Sequence, residues 1–349
     1  MLAQFCSSLA DNALLVPMIE LMRSEQRPVW QEAALVPMFA LFYVLLAPFV
    51  GAFADSMPKG KVMFISNGCK MIGCLMMISG ISPLYGYGIV GLGAALYSPA
   101  KYGILTELLP ASQLVKANGW IEGLTIASII LGVMLGGQIV GPHLSGIIMP
   151  IDIPGIEFGL YKTAILYMLV VYGLAALFNI WIPDTGVKMI PLRMNVWHMS
   201  REFLACNALL WKDKLGQISL AATTLFWGVS GNLRYIVLAF LFWLCWVRLA
   251  VFLVVPMNAL LQHRGHNLMG AGRSIAVQNF NEQLCILALG AFYSYSAELG
   301  FSAYGAITAL GVITFMVMLF LGGWYLYNLR RHPAEVQKLL QIARSDKLH

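Results

Sequence analysis

Three ionisable side chains stand inside apolar runs: Asp11 in "SLADNALL", Lys101 in "YSPAKYGIL" and Arg234 in "SGNLRY". An ionised group at the centre of a bilayer costs about 2.5–3.5 kcal/mol on insertion scales, so each needs a partner or a task. At a helical rise of about 1.5 Å per residue, Asp11 lies about 15 Å along the first run, too deep for so short a side chain to reach water. Asn12 beside it enlarges the polar spot. Lys101 lies about 10 Å from the cytoplasmic end of its run, a depth from which a lysine can snorkel. Pro99 frees a backbone carbonyl nearby, and breaks of that kind are tolerated in membranes where they line a cavity. Arg234 lies about 25 Å from the cytoplasmic start of its run, and its planar guanidinium can take a phosphate through two parallel hydrogen bonds. Charges of both signs at different depths suit an amphiphile carrying a phosphate and an amine. Lys70, mid-way along the third run, either joins this set or pairs with Asp11. Glu122 and Glu282 lie near cytoplasmic ends of their runs and read as gate or packing residues.

The elements that must position these residues follow from composition. The chain has 349 residues, 59% hydrophobic and only 11% charged, with a mean hydropathy of +0.76. Soluble domains carry about 25% charged residues, so a soluble enzyme is excluded and a polytopic all-α membrane protein is expected. Apolar runs long enough to span a bilayer fall at about 2–22, 33–54, 61–80, 84–108, 118–140 and 160–182. After a polar interval they resume at about 217–240, 241–262, 274–297 and 300–328, for about ten helices in all. Lys and Arg concentrate in alternate loops and in the tail (Arg330, Arg331, Lys338, Arg344, Lys347), which places both termini in the cytoplasm. The first run has no basic leader or small-residue cleavage site, so no cleaved signal is expected. Residues 1–183 read as a six-helix bundle, 184–216 as a cytoplasmic loop, 217–329 as a shortened second bundle and 330–349 as a cytoplasmic tail. Within the loop, "VWHMSREFLACNALLWKDK" sets Trp197, Phe203, Leu204 and Trp211 among Arg201, Lys212 and Lys214, the pattern of an amphipathic helix at the membrane surface.

Two weak echoes link the halves. Pro99 and Pro256 are each followed seventeen residues on by a basic residue, Lys116 and Arg273, and "ADNALL" resembles "SGNLRY". Repeats of this kind mark two-bundle transporters with the site at the repeat interface. Gly119, Gly123, Ala127, Gly132 and Gly136 recur along the fifth run, a stripe that lets helices approach closely. Cys6, Cys69, Cys74, Cys206, Cys245 and Cys285 mostly sit in apolar runs without a CxxC or Cys/His cluster, so neither a disulfide framework nor a metal or other cofactor is expected. No Asp follows His143, His198, His263, His266 or His332 at four or five residues, which argues against a membrane acyltransferase of the HxxxxD type.

"GAFADSMPKGK" resembles the signature between helices two and three of the major facilitator superfamily, with Gly51, Asp55, Lys59, Gly60 and Lys61 filling its positions. By that resemblance Asp55 latches the two bundles in one state, through helix-end dipoles and neighbouring cations. Together with "SLADNALL", "YSPAKYGILTEL", "LVKANGWIEG", "LFWGVSGNLRY", "VVPMNALLQHRG" and "GAGRSIAVQN", it makes nearly the whole chain resemble the bacterial lysophospholipid transporters of that superfamily. The resemblance implies a two-bundle fold and import of lysophosphatidylethanolamine and lysophosphatidylglycerol from the outer to the inner leaflet of the bacterial inner membrane. It also implies re-acylation there by a cytoplasmic acyltransferase/acyl-carrier-protein synthetase, with no nucleic-acid partner. Asp11, Lys101 and Arg234 carry over as headgroup contacts, with Asn12 beside them. The family has twelve helices, whereas here only 22 positions separate Arg234 from Pro256, all apolar but for Arg248. Helices eight and nine are therefore expected to be absent. Another solute carrier of the superfamily, or a truncated remnant without transport activity, are the alternatives.

Overall fold

The computed structural model describes residues 1–27, 31, 34–141, 159–187, 189, 191, 195–233, 255–298, 303–334 and 336–337. Among these, every regular element is a helix: α1 (Leu2–Ala13), α2 (Leu15–Ser24), α3 (Leu35–Leu45), α4 (Ala47–Asp55), α5 (Lys59–Ile78), α6 (Pro83–Leu108) and α7 (Ala111–Val140). There follow α8 (Leu160–Ile180), α9 (Val196–Lys212), α10 (Gly216–Leu233), α11 (Val255–Met269), α12 (Ala271–Glu298) and α13 (Ala303–Arg331). Arg234, and with it the segment 234–254 where two helices of the second bundle are expected to be absent, lies outside the described residues.

Prolines explain two breaks that the apolar pattern hides. Pro17 has no N–H for the carbonyl of Ala13, and the first run divides at Leu14 into α1 and α2. Pro48 does the same to the second run, which divides at Leu46 with Pro48 in the first turn of α4, where a missing N–H costs nothing. α6, by contrast, runs through Pro99 as one element. Among the described residues, five helical stretches are long and apolar enough to cross a membrane, and six if α3 and α4 count as one bent span. α6 and α12 have 26 and 28 residues, ample length, but polar residues lower their hydropathy. α12 alone carries Arg273, Gln278, Asn279, Asn281 and Glu282.

The described chain forms two compact units. Unit one comprises Met1–Tyr43, Ser56–Lys101 and Trp120–Met189. α8 is its hub, packed along α5 and α1, and its core joins Leu14, Met18, Met22, Met77, Val90, Ile165 and Tyr172. Unit two comprises Val44–Asp55, Tyr102–Gly119 and Ile190–His349. There α12 packs on α10, α4 and α11, and α9 lies against α4, α10 and α12.

The distribution of polarity in unit one is that of a protein dissolved in lipid. Lys70, Ser66, Asn67, Thr163 and Asn179 are buried, while Ile72, Leu75, Val170, Leu174 and Leu177 of the same helices are exposed. Water would drive the opposite arrangement, since exposed apolar area costs about 25 cal/mol per Å². The protein is a multi-pass membrane protein.

Candidate functional site: a buried charge pair in an aromatic cage

The most highly charged buried point of unit one is built from four helices. Asp11 and Ser7 are one turn apart on α1 and face the same way. Lys70 and Asn67 are three residues apart on α5, Tyr97 lies on α6 and Tyr172 on α8. Lys70 Nζ donates to Asp11 Oδ2 at 2.8 Å and to Ser7 Oγ at 2.9 Å. Ser7 Oγ in turn donates to Asn67 Oδ1 at 2.7 Å. The other carboxylate oxygen, Asp11 Oδ1, accepts from the Tyr172 hydroxyl at 2.8 Å. The ammonium also faces two rings, 5.1 Å from the centroid of Tyr97 and 5.4 Å from that of Tyr172. Such faces attract a desolvated cation by about 2 kcal/mol.

Each charge is therefore matched. An isolated ion at this depth would cost several kcal/mol, which the pair and its hydrogen bonds offset. Burial is uneven: the Lys70 side chain is 2% exposed and that of Asp11 18%. Asp11 thus keeps part of its side chain exposed while the Lys70 ammonium is sealed. The alternative sequence reading of Lys70, as the partner of Asp11, describes its place.

Gly93 makes room for the lysine. A Cβ there would stand 2.7 Å from Lys70 Cγ and 2.6 Å from the carbonyl of Ser66, closer than atoms pack. The signal was a glycine in a glycine-rich helix, and nothing in the sequence set it apart from its neighbours.

The other expected site residues fall into different environments. Asn12 turns back onto its own helix, donating to the carbonyl of Ser8 at 2.7 Å. It is buried where α7 crosses α1, with Gly132 against its Cβ and Gly136 against the carbonyl of Ala13 that Pro17 leaves free. Gln4 to Thr125 and Ser128 to Ser8, each 2.7 Å, finish that crossing. Gly132 and Gly136 thus act as packing residues, whereas nothing stands within 4 Å of a Cβ at Gly123. Lys101 is half-buried on α6, and neither carboxylate oxygen of Asp11 accepts a hydrogen bond from it. Glu122 is buried on α7. Of the loop signature, Lys59 and Gly60 are buried at the start of α5, Gly60 against the carbonyl of Asn179, and Lys61 is exposed.

In unit two, Asp55 Oδ1 accepts the backbone N–H of Gly272 at 3.2 Å, at the N-terminus of α12, where the helix dipole favours an anion. Gly51 permits the approach: a Cβ there would be 2.9 Å from the Gly272 carbonyl. The next residue, Arg273, pairs with Glu202 of α9 at 3.2 Å. The helix expected in the loop is therefore present and docked, with Phe203 edge-on to Phe280 and Trp211 Nε1 donating to Asn281 at 3.2 Å. Glu282 accepts from Gln278 at 2.8 Å, and Gln278 also donates to Asn258 at 2.6 Å. Sequence reasoning missed the buried pair of Arg264 with Asp213. Asp213 also caps α10 through the N–H of Gly216 at 2.7 Å.

No family model matches the chain. By fold it resembles the human organic anion transporter MFSD10 (TETRAN), with a TM-score of 0.64 at 14% identity over 92% of this chain and 97% of that one. It also resembles the E. coli fucose:proton symporter FucP, with a TM-score of 0.55 at 12% identity over 93% and 98%. All-helical among the described residues and membrane-embedded, it has the two-bundle major facilitator superfamily fold that these proteins share. In sequence it is 33% identical to the lysophospholipid transporter LplT of Yersinia enterocolitica over 365 residues, 85% of this chain and 86% of the relative. It is 32% identical to LplT of Klebsiella pneumoniae subsp. pneumoniae over 388 residues, 90% and 94%. The chain belongs to the lysophospholipid transporter family. Both alignments are longer than the 349 residues of the whole chain. They therefore cross stretches of the relatives that have no counterpart here.

Proposed function

We propose that this chain carries lysophospholipids, lysophosphatidylethanolamine and lysophosphatidylglycerol, from the outer to the inner leaflet of the bacterial inner membrane. A cytoplasmic acyltransferase/acyl-carrier-protein synthetase re-acylates them there. Both termini are cytoplasmic, and residues 1–183 and 217–329 are the two bundles whose rocking moves the substrate, joined by 184–216 and followed by the tail 330–349. The observation that carries this reading is the Asp11 carboxylate, the one charged group of α1, anchored on both oxygens while its side chain stays partly exposed. Membrane interiors hold such groups where polar cargo passes. Lys101 and Arg234 supply cations for the phosphate common to both lipids. Asp55, at the N-terminus of α12, is the latch that holds one state of the cycle.

The test is uptake of labelled lysophosphatidylethanolamine by cells lacking their own transporter. The chain restores uptake, and Lys101→Ala and Arg234→Ala each lower it about tenfold or more, as loss of a charge-assisted contact of ~1.5–3 kcal/mol requires. Asp11→Ala lowers it as far by leaving the Lys70 ammonium without its counterion. Uptake unchanged in all three variants sinks the site assignment.

A further inference from the structure

The surroundings of Lys70 Nζ make up a complete receptor for a primary ammonium. A carboxylate oxygen lies at 2.8 Å and a hydroxyl oxygen at 2.9 Å. That hydroxyl donates its hydrogen bond to Asn67, so its lone pairs are turned to the cation. Two tyrosine faces at 5.1 and 5.4 Å close the cage. Carboxylate, hydroxyl acceptor and aromatic walls form the donor set that any R–NH3⁺ group seeks once it leaves water. The amine of an ethanolamine headgroup is such a group, and the protein fills the cage with a side chain of its own.

We infer that Lys70 is a tethered occupant of an ammonium cage formed by Asp11, Ser7, Tyr97 and Tyr172, and thereby the residue that sets headgroup selectivity. The inference rests on the functional reading above and goes beyond it. With the lysine in place the cage is neutral as a whole and its interior is sealed. Of the pair, Asp11 is the partly exposed member, and its charge is already compensated. A headgroup amine then gains little over a headgroup of glycerol, and the phosphate shared by both dominates recognition. A neutral side chain at position 70 empties the cage and leaves the charge of Asp11 uncompensated. The amine-bearing lipid can then supply the missing cation, and the amine-free lipid cannot.

The experiment compares wild type, Lys70→Met and the double variant Asp11→Asn/Lys70→Met in proteoliposomes, reading the KM for lysophosphatidylethanolamine against that for lysophosphatidylglycerol. Wild type shows a ratio within about threefold of one. Lys70→Met shifts the ratio about tenfold in favour of the amine-bearing lipid, a change of ~1.4 kcal/mol. The double variant returns to the wild-type ratio. Equal losses for both lipids in Lys70→Met mean that the pair is only a structural tie and overturn the inference. Wild type needs no variant to contradict it: a tenfold or greater preference for the amine-bearing lipid shows that Asp11 is not masked. In detergent, phosphoethanolamine raises the melting temperature of purified Lys70→Met but not of wild type, and glycerol phosphate raises neither. No shift in a folded Lys70→Met overturns the cage. Wild type that moves neither lipid defeats the functional reading itself, and the inference falls with it.

Discussion

Gly93 of α6 lies so close to Lys70 of α5 that a methyl group on it would stand 2.7 Å from the lysine Cγ. The buried ammonium reaches Asp11 because the facing helix carries nothing at this level. Gly93→Ala forces the lysine stem or the α5–α6 packing to shift, and overpacking of this kind costs about 1–3 kcal/mol. The expected outcome is a lower melting temperature of the purified protein and reduced uptake, with Gly137→Ala, where nothing stands within 4 Å, as the silent control.

Asp11 and Lys70 should behave as one unit. Removing either alone leaves a buried charge without its counterion, a loss of about 3–5 kcal/mol. Asp11→Asn together with Lys70→Met costs less than the two single changes added, and a double-mutant cycle of melting free energies reads the coupling. Additive losses would show that the 2.8 Å contact contributes no energy of its own.

Gly272 is as constrained as Gly93, for a different reason. A Cβ on it would stand 2.4 Å from Asp55 Oδ1, so Gly272→Ala drives the carboxylate off the N-terminus of α12. Loss of that hydrogen bond and helix-dipole contact amounts to about 1–2 kcal/mol. Asp55→Asn keeps an acceptor but loses the charge. Uptake should fall further in Gly272→Ala than in Asp55→Asn, as measured by initial rates in cells.

Burial pushes the Cys206 thiol of α9 above its ordinary range, against a lowering influence of Arg273 and with a further raising one from Glu202. The thiolate is the reactive form, so a raised value means little of it at neutral pH. Maleimide labelling at Cys206 should therefore be slow near neutrality and accelerate as pH rises beyond the usual thiol range. Arg273→Ala removes the cation and slows it further, in a background whose other cysteines are replaced by serine. An unchanged rate in Arg273→Ala would show that the guanidinium does not act on the thiol.

Asp11 and Lys101 stood out in the sequence because charge in an apolar run is costly, and that cost is readable without coordinates. Tyr172, Tyr97 and Ser7 did not stand out, since a tyrosine or serine is common in such runs. The contact between Asp11 and Tyr172 spans 161 positions, and no periodicity connects residues so far apart. Arg264 and Asp213 were hidden for the opposite reason: charges beside loops pass as solvated until the fold buries them. Helix ends were legible where proline or glycine marks them, as at Pro83. The start of α7 was not, because "ASQLVKANG" is polar enough to read as a loop although it is helical from Ala111. The breaks at Leu14 and Leu46 required knowing which carbonyl each proline leaves unserved.

The most direct test of the account is leaflet exchange itself. Purified protein is reconstituted into vesicles with a fluorescent lysophosphatidylethanolamine, and a membrane-impermeant quencher reports how much has crossed. Crossing should run well above that in protein-free vesicles and fall about tenfold or more in Asp11→Ala, which leaves the buried Lys70 ammonium without its counterion. Crossing no faster than in empty vesicles, or equally fast in Asp11→Ala, would contradict it.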